Sequence, residues 1–256
     1  MTDASAELPK QPIIEHLLEL RRRLAICLVA FLLTTALCYS FAQEIYGFLV
    51  EPLAAAFPNP EHRRLIYTSL IEAFMTYLKL SIFAGFFLSF PVIAHQFYGF
   101  LAPGLYRKER RALIPYLVAA PIMFIAGAAF VYYFIFPAAW HFFLGFETTD
   151  GAGGLAIQLE AKVSDYLSLV MHLIMAFGLS FQLPVVLVLL VRSGFMQLST
   201  LKRGRRYAIV IIVTVAAFIT PPDVFSQIAL SVPLYLLYEV SILLCRNVKP
   251  AELDHA

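Results

Sequence analysis

The chain has 256 residues, of which 61% are hydrophobic and 14% are charged. Because a water-soluble domain is about 45–50% apolar and about 25% charged, this composition excludes a soluble globular domain and predicts a polytopic membrane protein. The net charge of +2 is too small to indicate a partner by itself, and no nucleic-acid partner is expected.

The N-terminal region predicts a surface helix that leads into a first membrane span. Residues 1–12 are polar, contain two prolines and are predicted to be disordered. Residues 13–23 repeat apolar side chains at helical spacing with charges on the other side, which predicts an amphipathic helix at the membrane surface. The span at about 24–41 is too long for the apolar part of a cleavable signal peptide, so we expect it to remain in the protein.

The next segment, residues 42–72, is predicted to lie outside the membrane on the opposite side. Its many apolar side chains favour short helices along the membrane surface. Ser69 and Glu72 have the spacing of a capping box, which predicts a helix start there. The second and third spans are predicted at about 73–97 and 113–136.

Three further spans follow, at about 165–191, 207–220 and 225–244, before a tail at 245–256. A helix needs about 20 residues to cross a hydrocarbon core of about 30 Å. The fifth span is shorter than that and the sixth has little to spare, so both are predicted to be short. We therefore expect the bilayer to be thinner around them.

The distribution of cations predicts the orientation. All but four of the 19 Lys and Arg residues fall in the N-terminal segment, in the loops after spans two and four, and in the tail. The exceptions are Arg63, Arg64, Lys79 and Lys162. Because Lys and Arg in short loops stay on the cytoplasmic side, the pattern predicts six spans with both termini in the cytoplasm.

Residue types that would indicate a cofactor or a catalytic group are not arranged in any recognisable spacing. The three cysteines lie in or beside apolar runs and are interpreted as packing residues. The six histidines show neither metal-ligand spacing nor a nucleophile partner. We therefore expect no cofactor, no metal and no enzymatic activity.

Four motifs, in order along most of the chain, resemble those of one family: TatC, the multispanning receptor of the bacterial twin-arginine protein translocase. They are His16–Leu24, Phe100–Arg111, Phe177–Pro184 and Thr220–Gln227. The resemblance implies an all-α, glove-like concave arrangement of six helices that form one integral domain in the bacterial inner membrane.

The resemblance also implies the function. A TatC-like chain would bind signal peptides that carry paired arginines, and it would export folded proteins by using the proton-motive force. Its partners would be the single-span proteins TatA and TatB, in a multimeric receptor complex.

Matching the motifs residue by residue assigns candidate roles. Glu19 and Glu109 match the acids that engage the arginine pair, and Arg21 and Phe100 match positions important for that site. Functionally important positions elsewhere are matched by Pro52, Asp223 and Gln227. Gln182 departs from the family, because many members carry a membrane-buried Glu there, and glutamine cannot titrate. A hydrogen bond from Gln182 to a partner helix or to the signal peptide is still compatible with the sequence.

The physical chemistry of two acids suits a pair of arginines. A guanidinium group pairs bidentately with a carboxylate, and adjacent arginines point in different directions, so two separated acids suit them best. Simple ion pairs are the alternative: Glu19 with Arg22 or Arg23, and Glu109 with Lys108 or Arg110. We expect the surrounding cations to face anionic lipid headgroups.

Two other functions compete with a translocase. A secondary transporter is expected to show repeat symmetry and acids near the membrane midplane, whereas this chain has Gln182 there. An intramembrane enzyme is expected to place a Ser–His pair, two aspartates or metal ligands in one cavity, and the sequence indicates none of these.

Overall fold

The computed structural model describes residues 13–57, 64–101, 114–148, 159–219 and 224–246. Within these ranges the chain is helical apart from connecting turns and isolated bridges, so the all-α prediction is confirmed. The helices are α1 (Ile13–Ser40), α2 (Ala42–Ala56), α3 (Leu70–Leu101), α4 (Ile114–Phe130), α5 (Phe136–Leu144), α6 (Val163–Ser180), α7 (Leu183–Arg192), α8 (Leu198–Arg203), α9 (Arg205–Ile219) and α10 (Val224–Arg246). The predicted surface helix at 13–23 and the first span lie in one continuous helix, α1.

Five helical stretches in the described part are long and apolar enough to cross a membrane: Ile14–Ser40, Leu70–Phe100, Pro115–Leu144, Val163–Arg192 and Gln227–Arg246. α9 has 15 described residues, fewer than the roughly 20 that cross a bilayer, so a sixth span stays a prediction. α10 has 23 residues, and its apolar stretch Gln227–Arg246 has 20. That the sixth span has little length to spare stays a prediction.

Two interruptions lie within the long helical stretches. Between α4 and α5 the residues Val131–Ile135 form a π-helical turn, in which the N–H of Phe136 bonds to the carbonyl of Val131. Pro137, which cannot donate a hydrogen bond, follows directly. Between α6 and α7 the backbone turns at Phe181 and Gln182, just before Pro184.

α1 packs along α3 in antiparallel fashion, and a glycine makes the approach possible. The hydroxyl of Thr34 donates to the carbonyl of Gly85 at 2.8 Å. A Cβ atom placed on Gly85 would lie 2.6 Å from Cα of Thr35, which is closer than van der Waals contact allows. Small residues commonly permit such backbone contacts between membrane helices, where dispersion and hydrogen bonds replace the hydrophobic drive for association.

The buried centre lies between the later helices. Phe136, Leu167 and Phe177 are fully buried, and they belong to one core cluster with residues of α2, α3 and α10. α4 and α6 approach closely at Gly127 and Gly178. A Cβ on Gly178 would lie 2.7 Å from the ring of Phe124.

The starts of α3 and α6 are joined by a short parallel bridge. Ile66 bonds through its N–H to Ala161 and through its carbonyl to Val163. α3 begins at Leu70, as the capping-box pattern predicts. The carboxylate of Glu72, however, accepts hydrogen bonds from the N–H and hydroxyl of Thr68 rather than from the N–H of Ser69.

Candidate functional site

The start of α1 and the end of α3 meet in a group of side chains that we name the α1–α3 clasp. It comprises His16, Glu19 and Arg23 on α1 and Gln96, Gly99 and Phe100 on α3. Arg23 donates from Nε and Nη2 to Oε1 of Glu19, at 2.9 and 2.7 Å. Its Nη1 donates across to Oε1 of Gln96 at 3.2 Å. Two of the predicted site residues, Glu19 and Phe100, therefore belong to one cluster.

Helical spacing and one glycine explain how the clasp forms. Glu19 and Arg23 are one turn apart on α1, the spacing at which side chains meet. The guanidinium group of Arg23 then lies over the backbone of α3 at Gly99, where a Cβ would overlap its Nη1 atom. The ring of His16 stacks on that of Phe100, with centroids 4.3 Å apart and planes 18° apart. The clasp therefore joins the two helices by a polar contact and an aromatic contact.

Partial exposure shapes the electrostatics of the clasp. The side chains of Arg23 and Glu19 retain 22% and 30% of their accessible surface, so water screens the ion pair. Both donors of Arg23 converge on the same oxygen of Glu19. Among the described residues, Oε2 of Glu19 accepts no hydrogen bond. The carboxylate thus keeps acceptor capacity for a further donor.

Arg21 lies on another face of α1. It is exposed, and with Arg22 it borders an apolar face of α1 formed by Leu18, Ala25, Ile26, Val29, Ala30 and Leu33. The structure therefore does not bring Arg21 into the clasp. Cations at one end of an apolar helix face suit a negatively charged headgroup with an apolar chain.

Two predicted site residues, Glu109 and Asp223, lie outside the described residues. Pro52 lies inside α2, between the buried side chains of Leu49 and Leu53. Gln227 is in the first turns of α10, where its Nε2 donates to the carbonyl of Val213 on α9 at 3.2 Å. Neither Pro52 nor Gln227 belongs to the clasp.

Gln182 lies at the break between α6 and α7. Its Nε2 donates to the carbonyl of Ala120 on α4 at 2.8 Å. Its Oε1 is buried and has no hydrogen-bond partner among the described residues. A buried acceptor without a partner is costly in an apolar surrounding, so this atom is a candidate contact point for a donor on another helix.

Sequence reasoning did not identify His16 and Gln96 as members of the site. His16 was considered as a metal ligand or as the partner of a nucleophile, and the described residues contain no cluster that could hold a metal ion. Its position in the matched motif His16–Leu24 is the one available signal. Gln96 stands 73 positions from Arg23 in the chain and lies before the motif that begins at Phe100, so no local pattern predicts that contact.

A second polar cluster lies where α9 meets α10. Arg205 donates to Oε2 of Glu239 at 2.8 Å, and the hydroxyl of Tyr235 donates to the other carboxylate oxygen at 2.9 Å. Glu239 is thus a paired acid. This cluster fastens the start of α9 to the end of α10 and leaves the clasp as the candidate ligand site.

Comparisons with known proteins agree on one family. A family model described as Sec-independent protein translocase protein (TatC) matches residues 15–233. The TatC protein of Rickettsia prowazekii (strain Madrid E) is 48% identical over 235 residues, 92% of each chain. The TatC protein of Escherichia coli (strain K12) is 39% identical over 236 residues, 92% of this chain and 88% of that one. A solved structure described as the crystal structure of the twin arginine translocase receptor TatC matches with a TM-score of 0.79 and 38% identity, over 90% of this chain and 98% of that one.

Proposed function

The chain belongs to the TatC family of Sec-independent protein translocase proteins, and from this we propose that it is the signal-peptide receptor of a twin-arginine translocase. The family consists of translocase components rather than enzymes, and several helices of this chain are apolar enough for a multi-pass membrane protein. We propose that it binds paired arginines at its cytoplasmic face and exports folded proteins at the expense of the proton-motive force.

The position of Glu19 is the observation that carries this proposal. It lies in the clasp at the polar start of α1, and one of its carboxylate oxygens accepts no bond from the described residues. A carboxylate with open acceptor positions binds a guanidinium group in a defined orientation. Because the clasp is only partly exposed, such a bond is screened less than one at a free surface.

We propose Glu109 as the second acid. It follows the end of α3, which carries Gln96 and Phe100 of the clasp, and it precedes α4. Two adjacent arginines of an extended peptide point in different directions, so two acids on different elements suit them better than one. Arg21 and Arg22 then face anionic lipid headgroups rather than the peptide.

The orientation follows from the cations. Lys and Arg are concentrated in the N-terminal segment, the loops after α3 and α7, and the tail. The positive-inside rule supports a cytoplasmic location for these segments, and we propose accordingly that both termini and the clasp lie on the cytoplasmic side of a bacterial inner membrane. The proposal includes six spans, the sixth of them formed by the short helix α9.

We propose single-span TatA and TatB proteins as partners in a multimeric complex. Oε1 of Gln182 is a suitable acceptor for a polar side chain of such a helix, since it is buried and unpaired within the described part of the chain. We propose that Pro52, Asp223 and Gln227 serve transport rather than peptide recognition, since neither Pro52 in α2 nor Gln227 in α10 belongs to the clasp.

Peptide binding to the protein in lipid nanodiscs tests the receptor proposal. The probe is a signal peptide with two arginines, compared with the same peptide carrying two lysines. Replacing either acid, Glu19→Gln or Glu109→Gln, is expected to weaken binding of the arginine peptide about tenfold or more, since a hydrogen bond to a charged group is worth about 1.5–3 kcal/mol.

Glu15→Gln is the matched control, because Glu15 is an exposed acid on the same helix. It makes the same change in net charge and is expected to alter binding less than twofold. Equal binding of the two peptides by the wild-type protein, or unchanged binding in both acid variants, contradicts the proposal.

A further inference from the structure

The chain already holds a guanidinium group on the acid that we propose for the signal peptide. Arg23 directs two donors to Oε1 of Glu19. An arginine of the ligand that pairs bidentately with this carboxylate needs both of its oxygens, so it competes with Arg23 for Oε1. An arriving arginine therefore meets a carboxylate whose charge is already compensated.

Arg23 also has hydrogen-bond acceptors on α3. Its Nη1 donates to the side-chain oxygen of Gln96 at 3.2 Å and approaches the main-chain oxygen of Gln96 at 3.5 Å. Gly99 leaves room for the group over the backbone of α3. The stacked rings of His16 and Phe100 join the helices independently of this guanidinium. Releasing Glu19 thus leaves Arg23 bound to α3 and the two helices in contact.

We propose that Arg23 is a resident competitor for Glu19, so that signal-peptide binding is an exchange of one guanidinium group for another. This inference rests on the proposed receptor function and adds a residue that sets its affinity. A partly exposed pair one helical turn apart is weak, so the competition lowers affinity by a few-fold and does not block the site.

Exchange lowers the affinity of every cation that must displace Arg23 by the same factor, so it changes the strength of binding and not the preference between arginine and lysine. That preference comes from the planar two-donor contact, which the compact, strongly hydrated ammonium group of lysine cannot form.

The test compares Arg23→Gln with Arg22→Gln in nanodiscs, by using the arginine and lysine peptides as probes. Both variants remove one positive charge from the same turn of α1, so a general electrostatic gain affects both. Arg22 lies with Arg21 beside the apolar face of α1 and outside the clasp. We expect Arg23→Gln to bind the arginine peptide about two- to fivefold more tightly than Arg22→Gln does, with the arginine-to-lysine preference unchanged.

Arg23→Lys provides a second variant that keeps the charge. It is expected to tighten binding of the arginine peptide as well, by less than Arg23→Gln does. Adding Glu19→Gln to Arg23→Gln is expected to abolish the gain, because the contested carboxylate is then absent. Size-exclusion profiles and thermal midpoints of each variant show whether the fold is kept.

The outcomes separate the two proposals. A wild-type protein that binds both peptides equally overturns the receptor function and this inference with it. A second outcome overturns the competitor role alone. In it, the wild-type protein prefers the arginine peptide, but Arg23→Gln binds that peptide no better than Arg22→Gln does, and Arg23→Lys binds it no better than the wild-type protein does. Weaker binding in both Arg23 variants would assign Arg23 to positioning Glu19 and would likewise overturn it.

Discussion

The hydroxyl of Tyr132 donates a 2.9 Å hydrogen bond to the carbonyl oxygen of Phe48, and the two rings are stacked with centroids 4.5 Å apart. Phe48 stands four residues before Pro52 in α2. Because proline has no N–H group, this carbonyl lacks the donor that residue 52 would otherwise provide in an α-helix. Tyr132, on the π-helical turn, supplies a donor in its place. The hydrogen bond lost at the proline in α2 is therefore replaced by one from the turn after α4.

The first prediction concerns this compensation. Tyr132→Phe is expected to lower the free energy of unfolding by about 0.5–1.5 kcal/mol, the net value of one hydrogen bond. In a Pro52→Ala background the loss should be smaller, because the alanine introduced there provides an N–H donor for Phe48. Unfolding by denaturing detergent in mixed micelles measures both.

Tyr133→Phe is the control, since Tyr133 is 67% exposed. It is expected to change the free energy of unfolding little. An equal cost of Tyr132→Phe with and without the proline would contradict the explanation.

The second prediction concerns the contact between α1 and α3. Gly85→Ala places a methyl group against the backbone of Thr35, and such overpacking typically costs about 1–3 kcal/mol. Gly47→Ala is the matched control, because a Cβ on Gly47 meets nothing within 4 Å and alanine favours the helix. Unfolding measurements should therefore give opposite signs for the two variants. If Gly47→Ala destabilised the protein as much as Gly85→Ala does, the cost could not be attributed to the close approach of α1 and α3 at Gly85.

The third prediction concerns Glu72, which joins the starts of α3 and α6. Its carboxylate accepts from the N–H of Thr68 at 2.9 Å and from the N–H of Ser164 at 3.4 Å, and Nζ of Lys162 lies 3.5 Å away. Every one of these donors stabilises the ionised form. Glu72→Gln is expected to lower the thermal midpoint and to speed hydrogen exchange at Ile66 and Val163.

Glu44→Gln is the comparison for Glu72, because Glu44 is an exposed acid in the first turn of α2. It should leave both measurements close to those of the wild-type protein. Unchanged exchange at Ile66 and Val163 in Glu72→Gln would show that the parallel bridge holds without the acid.

The fourth prediction concerns Gln182 and rests on the proposed function. Gln182→Met removes the bond to Ala120 and also the buried acceptor that has no partner in the described part of the chain. The two effects oppose each other, so the free energy of unfolding of the isolated protein should change by less than about 1 kcal/mol. Copurification with the single-span partners should decrease. Full copurification would exclude Gln182 as a partner contact.

The positions of the long helices and the family could be predicted from the sequence. Runs of apolar residues predicted α1, α3 and α10, and four motifs predicted the TatC family; the fold class and the family are confirmed. The pairing of Glu19 with Arg23 was one of the alternatives that helical spacing left open. The role of Glu19 toward a signal peptide stays a prediction.

The contacts between helices could not be predicted, for a physical reason. In a soluble protein the buried face of a helix is apolar and the other face is polar, so periodicity shows which side packs. Membrane helices are apolar on the lipid-facing side as well. The contacts of Arg23 with Gln96 and of Tyr132 with Phe48 join residues 73 and 84 positions apart, and no local pattern distinguishes them.

The seam between α1 and α3 also bears on biogenesis. All contacts of the clasp and of Gly85 join residues before position 101, and α1 packs mainly along α3. Once the ribosome has released the first hundred or so residues into the bilayer, α1 and α3 have all the residues that form these contacts between them. The later helices can then assemble against a surface that is already in place.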